Sequence, residues 1–312
     1  MKYNHIVIAL VAILLGLSQA QAQSDRTFVA TTGSDSQACG PSDVPCRTFT
    51  AALPKTNAGG EVTALDSGVY DSFILVSASV TLAGAPGVQA ALSNDGNSSN
   101  RITVNAGSDD RVVLRNLFLK SKPGNVSSYG IGVLRVGVLQ IENCDIDGFS
   151  AGIGFSLQGS AQVSVKDTIV RNSSTDGIAF FTSSGLIKAS IDRSHFDNNG
   201  SFGAYSGVNV IQRSRVTVRD SVATGNTGAG FNVTGGDLNL ENCEASNNND
   251  GVVAGFTSNT SGTATVSNSI VTNNSHFGFT QAGNSVFNSL GNNTVRRNGT
   301  NTSGTINVVS GT

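Results

Sequence analysis

The sequence predicts a single all-β domain: a right-handed parallel β-helix (a solenoid of about ten coils) with a short N-terminal capping helix. Two observations carry this prediction: short segments alternate apolar and polar residues, and a glycine followed by an apolar segment recurs every 21 to 27 residues. Alternation indicates strands with one buried face, and self-similarity at such a period indicates a solenoid. Left-handed β-helices keep a hexapeptide step, so the longer and variable period favours the right-handed kind.

Residues 1–22 have the features of a cleaved signal peptide. Lys2 precedes an apolar run from Ile6 to Leu17, and Ala20-Gln21-Ala22 supplies a small-x-small cleavage site. The run is shorter than the roughly 20 residues that span a bilayer. We therefore expect a secreted or periplasmic protein with no membrane insertion after signal cleavage.

The composition excludes some classes of partner. Only 13% of the residues are charged and the net charge is −2, which provides no basic surface for nucleic acid. The chain has 37 glycines, but Val, Ile, Leu and Phe recur at regular spacing throughout. Disorder is therefore not expected.

Residues 23–60 are predicted to form an N-terminal cap, and residues 61–312 the β-helix. Cys39 and Cys46 lie in a loop rich in Gly, Pro, Ser and Asp, and in an exported protein we expect them to form a disulfide. The segment from Pro45 to Leu53 reads as a short amphipathic helix ended by Pro54. Such a helix provides the cover that the exposed end of a solenoid needs.

The repeats are defined by the residue that follows each glycine. They begin at Ile131, Ile153, Ile178, Ala204, Phe231, Val252, Phe279 and Thr305. A second strand in each repeat ends in Asn or Asp and a small residue. The Asn and Asp side chains (Asn143, Asp167, Asp220, Asn242 and Asn268) are expected to form a hydrogen-bonded ladder at a turn, interrupted by Arg193. In this pattern Cys144 and Cys243 occupy the same place on coils four apart. Because successive coils stack about 4.8 Å apart, these two cysteines are too far apart to pair, and we expect buried free thiols.

With these motifs in place, the chain resembles the pectin-lyase-like family of right-handed parallel β-helix proteins. The resemblance covers roughly residues 27–312 and rests on the G-[IVF]-x-[VF] and [VIL]-x-[NDR]-[SCT] patterns and on the segment GGEVTALDSGVY. It implies the fold but not the chemistry, because members include polysaccharide lyases, polygalacturonases, epimerases, adhesins and phage tailspikes.

Asp176 is the one residue that resembles a glycosidase acid. The segment Ser174 to Ile178 is similar to the Asn-Thr-Asp motif of polygalacturonases, with Ser in place of Asn. The other polygalacturonase motifs are missing, and Asp250 is the nearest similar carboxylate, three coils or about 14 Å away. Paired catalytic carboxylates lie about 5 to 9.5 Å apart, so Asp176 is expected to cap a turn instead.

A lyase would need a strong base and a group that neutralises a uronate, often Ca²⁺. The candidates are Lys166, Asp192 and Arg219, which belong to one exposed column. This column alternates in sign: Arg115, Glu142, Lys166, Asp192, Arg219 and Glu241. Alternation favours pairing between coils, which helps to fix their register, over a catalytic cluster.

The residue before each repeat's glycine marks a second surface. Its members include Tyr129, Asp176, Phe202 and Asp250, and aromatic rings beside carboxylates can hold a sugar chain by stacking and hydrogen bonds. They can equally be turn residues that cover the core. Neither His195 nor His276 has a companion at metal-ligand spacing, so no metal site and no cofactor are predicted, and Ca²⁺ enters only with the lyase alternative.

These observations favour a secreted protein that binds or contacts polysaccharide and has no recognisable catalytic set. The alternatives are a polysaccharide lyase acting on a uronic-acid polymer and a purely structural or adhesive solenoid. The sequence does not decide whether the protein is an enzyme. Because the last strand, near Ile306, has no visible cover, weak self-association through the C-terminal coil is also expected.

Overall fold

The computed structural model describes residues 23–71, 73–93, 100–121, 129–255 and 261–310. The predicted signal peptide, residues 1–22, lies outside these ranges. No helix within them is both long and apolar enough to cross a membrane.

The N-terminal region holds a short helix and a disulfide. The α-helix spans Phe49–Ala52 and continues as a 3₁₀ turn over Leu53–Lys55. It is shorter than the helix predicted from Pro45, because Thr48 is its N-cap and accepts a hydrogen bond from the Ala51 N–H at 3.1 Å. The disulfide between Cys39 and Cys46 is confirmed.

Three parallel sheets, here called A, B and C, form the rest of the described chain. Sheet A stacks twelve strands: Ser24–Val29, Thr56–Ala64, Val80–Gly84, Arg111–Arg115, Val138–Glu142, Ala161–Lys166, Ile187–Asp192, Ser214–Arg219, Asp237–Glu241, Thr263–Ser267, Val286–Ser289 and Ile306–Val308. Its first strand lies inside the segment predicted as the cap and pairs with the second.

Sheets B and C complete each coil. Sheet B stacks ten strands: Gly68–Asp71, Ala90–Ser93, Leu117–Lys120, Asp145–Asp147, Ile169–Arg171, His195–Asp197, Val222–Thr224, Glu244–Ser246, Ile270–Thr272 and Thr294–Arg296. Sheet C has eleven: Ile74–Val76, Ile102–Asn105, Tyr129–Arg135, Ala151–Phe155, Ile178–Ser184, Val208–Gln212, Ala229–Val233, Asp250–Ala254, Phe277–Gln281 and Thr300–Ser303, with Leu157–Gln158 beside Ile178–Ser184. The predicted fold class, an all-β parallel solenoid with one short helix, is confirmed.

The core follows from the alternation of the strands. Inward side chains such as Leu139 and Ile141 are fully buried, and each stacks on its counterpart in the next coil. In sheet C the inward column runs through Ile131, Ile153, Ile178, Val208, Phe231, Val252 and Phe279. Each coil therefore buries its apolar face only because it has neighbours above and below.

Two of the predicted repeat boundaries are wrong. Ile178 pairs with Val208 rather than Ala204, and Phe279 pairs with Thr302 rather than Thr305. The glycine of the misplaced coil is Gly207, where a Cβ would lie 2.8 Å from the Gly230 carbonyl oxygen, whereas a Cβ on Gly203 would meet only the Tyr205 ring. Close backbone approach, not the presence of glycine alone, marks the boundary.

The turn between sheets A and B carries the predicted ladder of polar side chains. Asn143 donates to Asn116 Oδ1 at 2.9 Å, and Asn242 donates to Asp220 Oδ1 at 2.6 Å. Arg193 does not interrupt the ladder, because its guanidinium donates to both oxygens of Asp167 at 2.8 and 3.0 Å. Every member has a positive φ, which Asn and Asp tolerate better than other non-glycine residues.

Small residues fill the position just after this turn. The column is Cys144, Thr168, Ser194, Ser221, Cys243 and Ser269, all buried. Cys144 and Cys243 are free thiols, as predicted. Burial raises the pKa of Cys144 to about 12 and that of Cys243 to about 11, so both stay protonated and unreactive at neutral pH.

A buried ladder of asparagines supports the turns between sheets B and C. Its members are Asn199, Asn226, Asn248, Asn274 and Asn298, and each amide donates to the next side-chain oxygen at 2.9 to 3.2 Å. The Asn226 amide also donates to the Phe196 carbonyl oxygen at 2.9 Å. Ladders of this kind satisfy the buried polar groups of successive coils in the same way.

Candidate binding groove on sheet C

The lyase candidates Lys166, Asp192 and Arg219 lie in one column on the outer face of sheet A. The register pairs Lys166 with Asp192 and Asp192 with Arg219, which confirms the predicted order of charges. Arg219 Nε lies 3.5 Å from Glu241 Oε2, so at least one neighbouring pair of the column forms an ion pair. The arrangement is a line of side chains of alternating charge.

The sheet C candidates lie where the strands begin. The Tyr129 side chain is 37% exposed, and its ring lies over Gly132 and Gly154, where added Cβ atoms would meet it. Asp176 is buried, and Asp250 is half-buried. Phe202 does not belong to this column, because Ser206 precedes Gly207 in the corrected register; Phe202 is 64% exposed on the turn before it.

Asp176 and Asp250 play the same structural role three coils apart. Asp176 Oδ1 accepts a hydrogen bond from the Ser206 N–H at 2.7 Å, and Asp250 Oδ1 accepts one from the Phe277 N–H at 3.1 Å. Each carboxylate thus caps the entry of the following coil, as the turn interpretation of Asp176 predicts. Three coil steps amount to about 14 Å, so the two do not form a glycosidase pair.

These two aspartates lie along one wall of a groove of about 680 Å³ on the outer face of sheet C. The floor consists of Asn209, Asn232, Val253 and Thr280, which stack in register on four consecutive strands. Tyr205, His276 and Phe277 stand along the same wall. No side chain of sheet A contributes to the groove.

A chain of hydrogen bonds runs along the floor. Asn209 donates to Asp176 Oδ2 at 3.0 Å, and Asn232 donates to Asn209 Oδ1 at 3.1 Å. Burial raises the pKa of Asp176, and the hydrogen bonds from Asn209 and the Ser206 N–H counter part of that shift. The chain fixes the orientation of the Asn232 amide, with its nitrogen toward Asn209.

Two oxygens on the floor have no hydrogen-bond partner among the described residues. They are Asn232 Oδ1 and Thr280 Oγ1, and both are buried. Asn232 as a whole is 8% exposed. Buried acceptors without partners are rare in folded proteins, and here both are found in one groove.

The rings of the wall form a platform beside these oxygens. His276 packs on Phe277 with ring centroids 3.6 Å apart, and His276 Nδ1 lies 3.2 Å from Asp250 Oδ1. Tyr205 is 39% exposed on the turn that precedes the first strand of the floor, Val208–Gln212. Apolar rings next to unsatisfied acceptors can hold a ligand that has both apolar faces and hydroxyl donors.

Sequence reasoning found Asp176 and Asp250 but missed Tyr205, Asn209 and Thr280 as parts of one site. The misplaced boundary at Ala204 hid the relation between Asn209 and Asn232. The segments VNVI and FNVT place these asparagines at the same outward position of consecutive coils, and this alignment was the available signal. The spacing of His276, which has no companion ligand in the sequence, does not indicate its place in this wall.

The stacked sheets and the groove define a β-solenoid with an elongated surface site. A family model described as the right-handed beta helix region matches residues 129–299, more than half of the chain. The chain therefore belongs to the right-handed β-helix family. No curated protein matches its sequence significantly.

Solved structures share the fold at low sequence identity. The pectate lyase Pel9A aligns with a TM-score of 0.52 and 15% identity over 93% of this chain and 78% of that chain. The Dettilon tailspike protein aligns with a TM-score of 0.51 and 10% identity over 84% of this chain and 54% of that chain. Tailspike protein 2 from the Escherichia coli O157:H7 bacteriophage CAB120 aligns with a TM-score of 0.50 and 10% identity over 78% of this chain and 36% of that chain. At these identities the likeness shows the fold alone.

Proposed function

We propose that this protein binds a segment of a polysaccharide chain in the groove on sheet C and acts as a carbohydrate-binding solenoid. The observation that carries the proposal is the pair of buried, unpartnered oxygens of Asn232 and Thr280 in one groove with the exposed rings of Tyr205 and His276 and the half-buried ring of Phe277. Sugar hydroxyls are donors that match such oxygens, and the apolar faces of sugar rings stack on aromatic side chains.

The shape of the groove supports an extended ligand. From the coil of Asp176 to that of Phe277 the groove crosses four coil steps, about 19 Å. The floor repeats the same outward position in each coil. A polymer with regularly spaced hydroxyl groups therefore fits it better than a compact molecule does.

The positions of the candidate catalytic residues support binding rather than cleavage. Lys166, Asp192 and Arg219 belong to sheet A, and none of them lines the groove. Asp176 and Asp250 are committed to capping turns. A lyase that acts on a uronic-acid polymer is the alternative, and it would require the sheet A column to bind substrate, with Ca²⁺ as an added cofactor.

Retardation in native gels that contain dissolved polysaccharides tests the proposal. Wild-type protein should be retarded by at least one polymer of a panel. Asn232→Ala and Tyr205→Ala should reduce the retardation at least fivefold. Asn239→Ala is the matched control, since Asn239 is an exposed asparagine on sheet A, and it should leave retardation unchanged.

Phe202→Ala separates the groove from the surface predicted by sequence. If the groove is the binding site, Phe202→Ala should have little effect on polysaccharide binding, because Phe202 does not line the groove. Loss of binding in Phe202→Ala but not in Tyr205→Ala would refute the assignment to the groove. Each polyuronate in the panel is also followed with and without Ca²⁺ by absorbance near 235 nm, and a rise that Lys166→Met abolishes would establish the lyase instead.

Export forms a second part of the proposal. We infer that the chain matures outside the cytoplasm, in the medium or the periplasm, because it carries the Cys39–Cys46 disulfide and the signal-like residues 1–22. Intact-mass analysis of protein from the exported fraction should show a chain that begins near Gln23. A full-length chain found only in the cytoplasm would contradict export.

A further inference from the structure

Among the described residues, the acidic and basic side chains that line the groove are those of Asp176, Asp250 and His276. Asp176 and Asp250 are acidic, His276 is paired with Asp250, and no lysine or arginine in the described part of the chain lines the groove. Asp250 is half-buried and Asp176 is buried. A ligand in this groove therefore meets two carboxyl groups and no permanent cation.

Cations lie instead on the outer faces of the other sheets. Lys188 and Arg215 are in register on sheet A, and both are exposed. On sheet B, Arg171 binds Asp145 and Asp147 at 2.8 and 3.5 Å. The absence of cations from the groove is thus a local property of this part of sheet C and not only a result of the low charge of the chain.

The unpartnered oxygens on the floor can both accept hydrogen bonds. Asn232 Oδ1 can only accept, and the Thr280 hydroxyl can accept or donate. The hydroxyl groups of a neutral sugar can donate to both oxygens, whereas a uronate replaces one hydroxyl by a carboxylate, which only accepts and carries charge. Beside Asp250, whose partner is the His276 imidazole and not a lysine or arginine, such an anion is repelled by the carboxylate and also loses its water.

We infer that the groove selects a neutral polysaccharide and excludes polyuronates, an inference that rests on the proposed function. It sets this chain apart from the pectate lyase whose fold it shares. The selection comes from two features acting together. The open oxygens on the floor favour ligands with hydroxyl groups, and the carboxyl groups of the wall disfavour ligands with acidic groups.

Binding is measured in EDTA with two probes, a soluble neutral β-glucan and polygalacturonate. We expect the neutral polymer to bind at least tenfold more tightly, and its affinity to be independent of salt. Any weak binding of polygalacturonate in the groove should increase with added NaCl, because screening reduces repulsion. Tyr205→Ala reports whether a polymer occupies the groove.

Two variants test the charge argument directly. Asp250→Asn keeps an oxygen that can accept from the Phe277 N–H, and it should raise polygalacturonate affinity at least threefold without weakening the neutral polymer. Lys188→Glu is the matched charge change outside the groove, and it should not alter Tyr205-dependent binding of either polymer.

The outcomes separate the two proposals. Polygalacturonate that binds as tightly as the β-glucan and loses binding in Tyr205→Ala would overturn the selection for neutral chains and leave the binding function intact. Failure of every polymer to bind would overturn both. Polygalacturonate binding that Tyr205→Ala leaves unchanged, and Lys188→Glu abolishes, would place that polymer on sheet A and support its exclusion from the groove.

Discussion

The outer faces of sheets A and C use the same parallel ladder in opposite ways. From Arg111–Arg115 to Thr263–Ser267, sheet A keeps its register without a shift, and the charges of its column from Arg115 to Glu241 alternate from coil to coil. Sheet C shifts register after Val133 and after Phe180 and leaves two floor oxygens without partners. Residues that complement their neighbours stabilise the solenoid, and residues that leave acceptors open are available to a ligand.

The largest expected effect is on stability, from a substitution in the buried asparagine ladder that supports the turns between sheets B and C. Asn226→Leu should lower the free energy of unfolding by about 3 kcal/mol, because the Asn199 N–H and the Phe196 carbonyl lose their partners in the interior. Urea denaturation followed by circular dichroism measures this. Asn239→Leu changes an exposed asparagine of sheet A and should cost no more than about 0.5 kcal/mol. Equal losses in the two variants would contradict the role of the buried ladder.

The next effect is a pH dependence of the free energy of unfolding, which should differ in sign between a carboxyl group of sheet C and one next to sheet A. Burial raises the pKa of Asp176 above its ordinary 3.8, so above pH 3.8 and up to the raised value the folded state binds more protons than the unfolded state. In that window the contribution of Asp176 to the free energy of unfolding falls as pH rises. Asp176→Asn should therefore gain stability relative to wild type with rising pH.

Asp110, which precedes a sheet A strand, should make a contribution to the free energy of unfolding that changes with pH in the opposite direction. Hydrogen bonds from Ser79 and from the Gly107 N–H lower its pKa. Its contribution is present above pH 3.8 and is lost as pH falls through the folded value. Unfolding curves of Asp176→Asn and Asp110→Asn between about pH 3 and 6 should diverge from wild type in opposite directions. Parallel curves would show that the two carboxyl groups do not differ.

A smaller effect tests the alternating column of sheet A. Lys166→Glu places three acidic residues in a row with Glu142 and Asp192 and should cost about 1 kcal/mol at low salt. The loss should shrink in high salt. Lys188→Glu is the control, because its neighbours are Gln162 and Arg215, and it should not destabilise. A Lys166→Glu protein as stable as wild type at low salt would show that the alternation has no structural role.

The smallest effect concerns the C-terminal end of the stack. Val308, in the last described strand of sheet A, is 77% exposed, and exposed edge strands favour pairing with another chain. We expect weak self-association that grows with concentration in sedimentation velocity. Val308→Lys should reduce it, whereas Val69→Lys, at an exposed valine of sheet B, should not. A strictly monomeric wild type would refute the prediction.

The difference between the sheets also explains what could be predicted from sequence. The charge column from Arg115 to Glu241, the turn ladder and the two free thiols follow from strict alternation, because a one-residue slip would turn every side chain to the other face. Each of these features repeats once per coil. A repeat can be aligned by its own pattern, without any knowledge of contacts.

The groove could not be predicted in this way, because it depends on departures from the repeat. The extra turn that carries Phe202 and Tyr205 lengthens the step from Ile178 to Val208 to 30 residues. Nothing in the local sequence shows that Gly207, and not Gly203, approaches the next coil closely. The unpartnered state of Asn232 Oδ1 depends on where Asn209 lies in the coil below, which only the register shows.

The buried asparagine ladder has a consequence for how such a chain changes in evolution. Because Asn226, Asn248 and Asn274 bind the coil above and the coil below through the same atoms, a duplicated or deleted coil finds the same contacts at both of its new junctions. The length of the solenoid can therefore vary in whole coils with little effect on its interior. The groove has no such freedom, since an inserted coil would separate Asn232 from Thr280. If the groove binds the proposed ligand, selection fixes the order of the coils there and leaves their number free elsewhere.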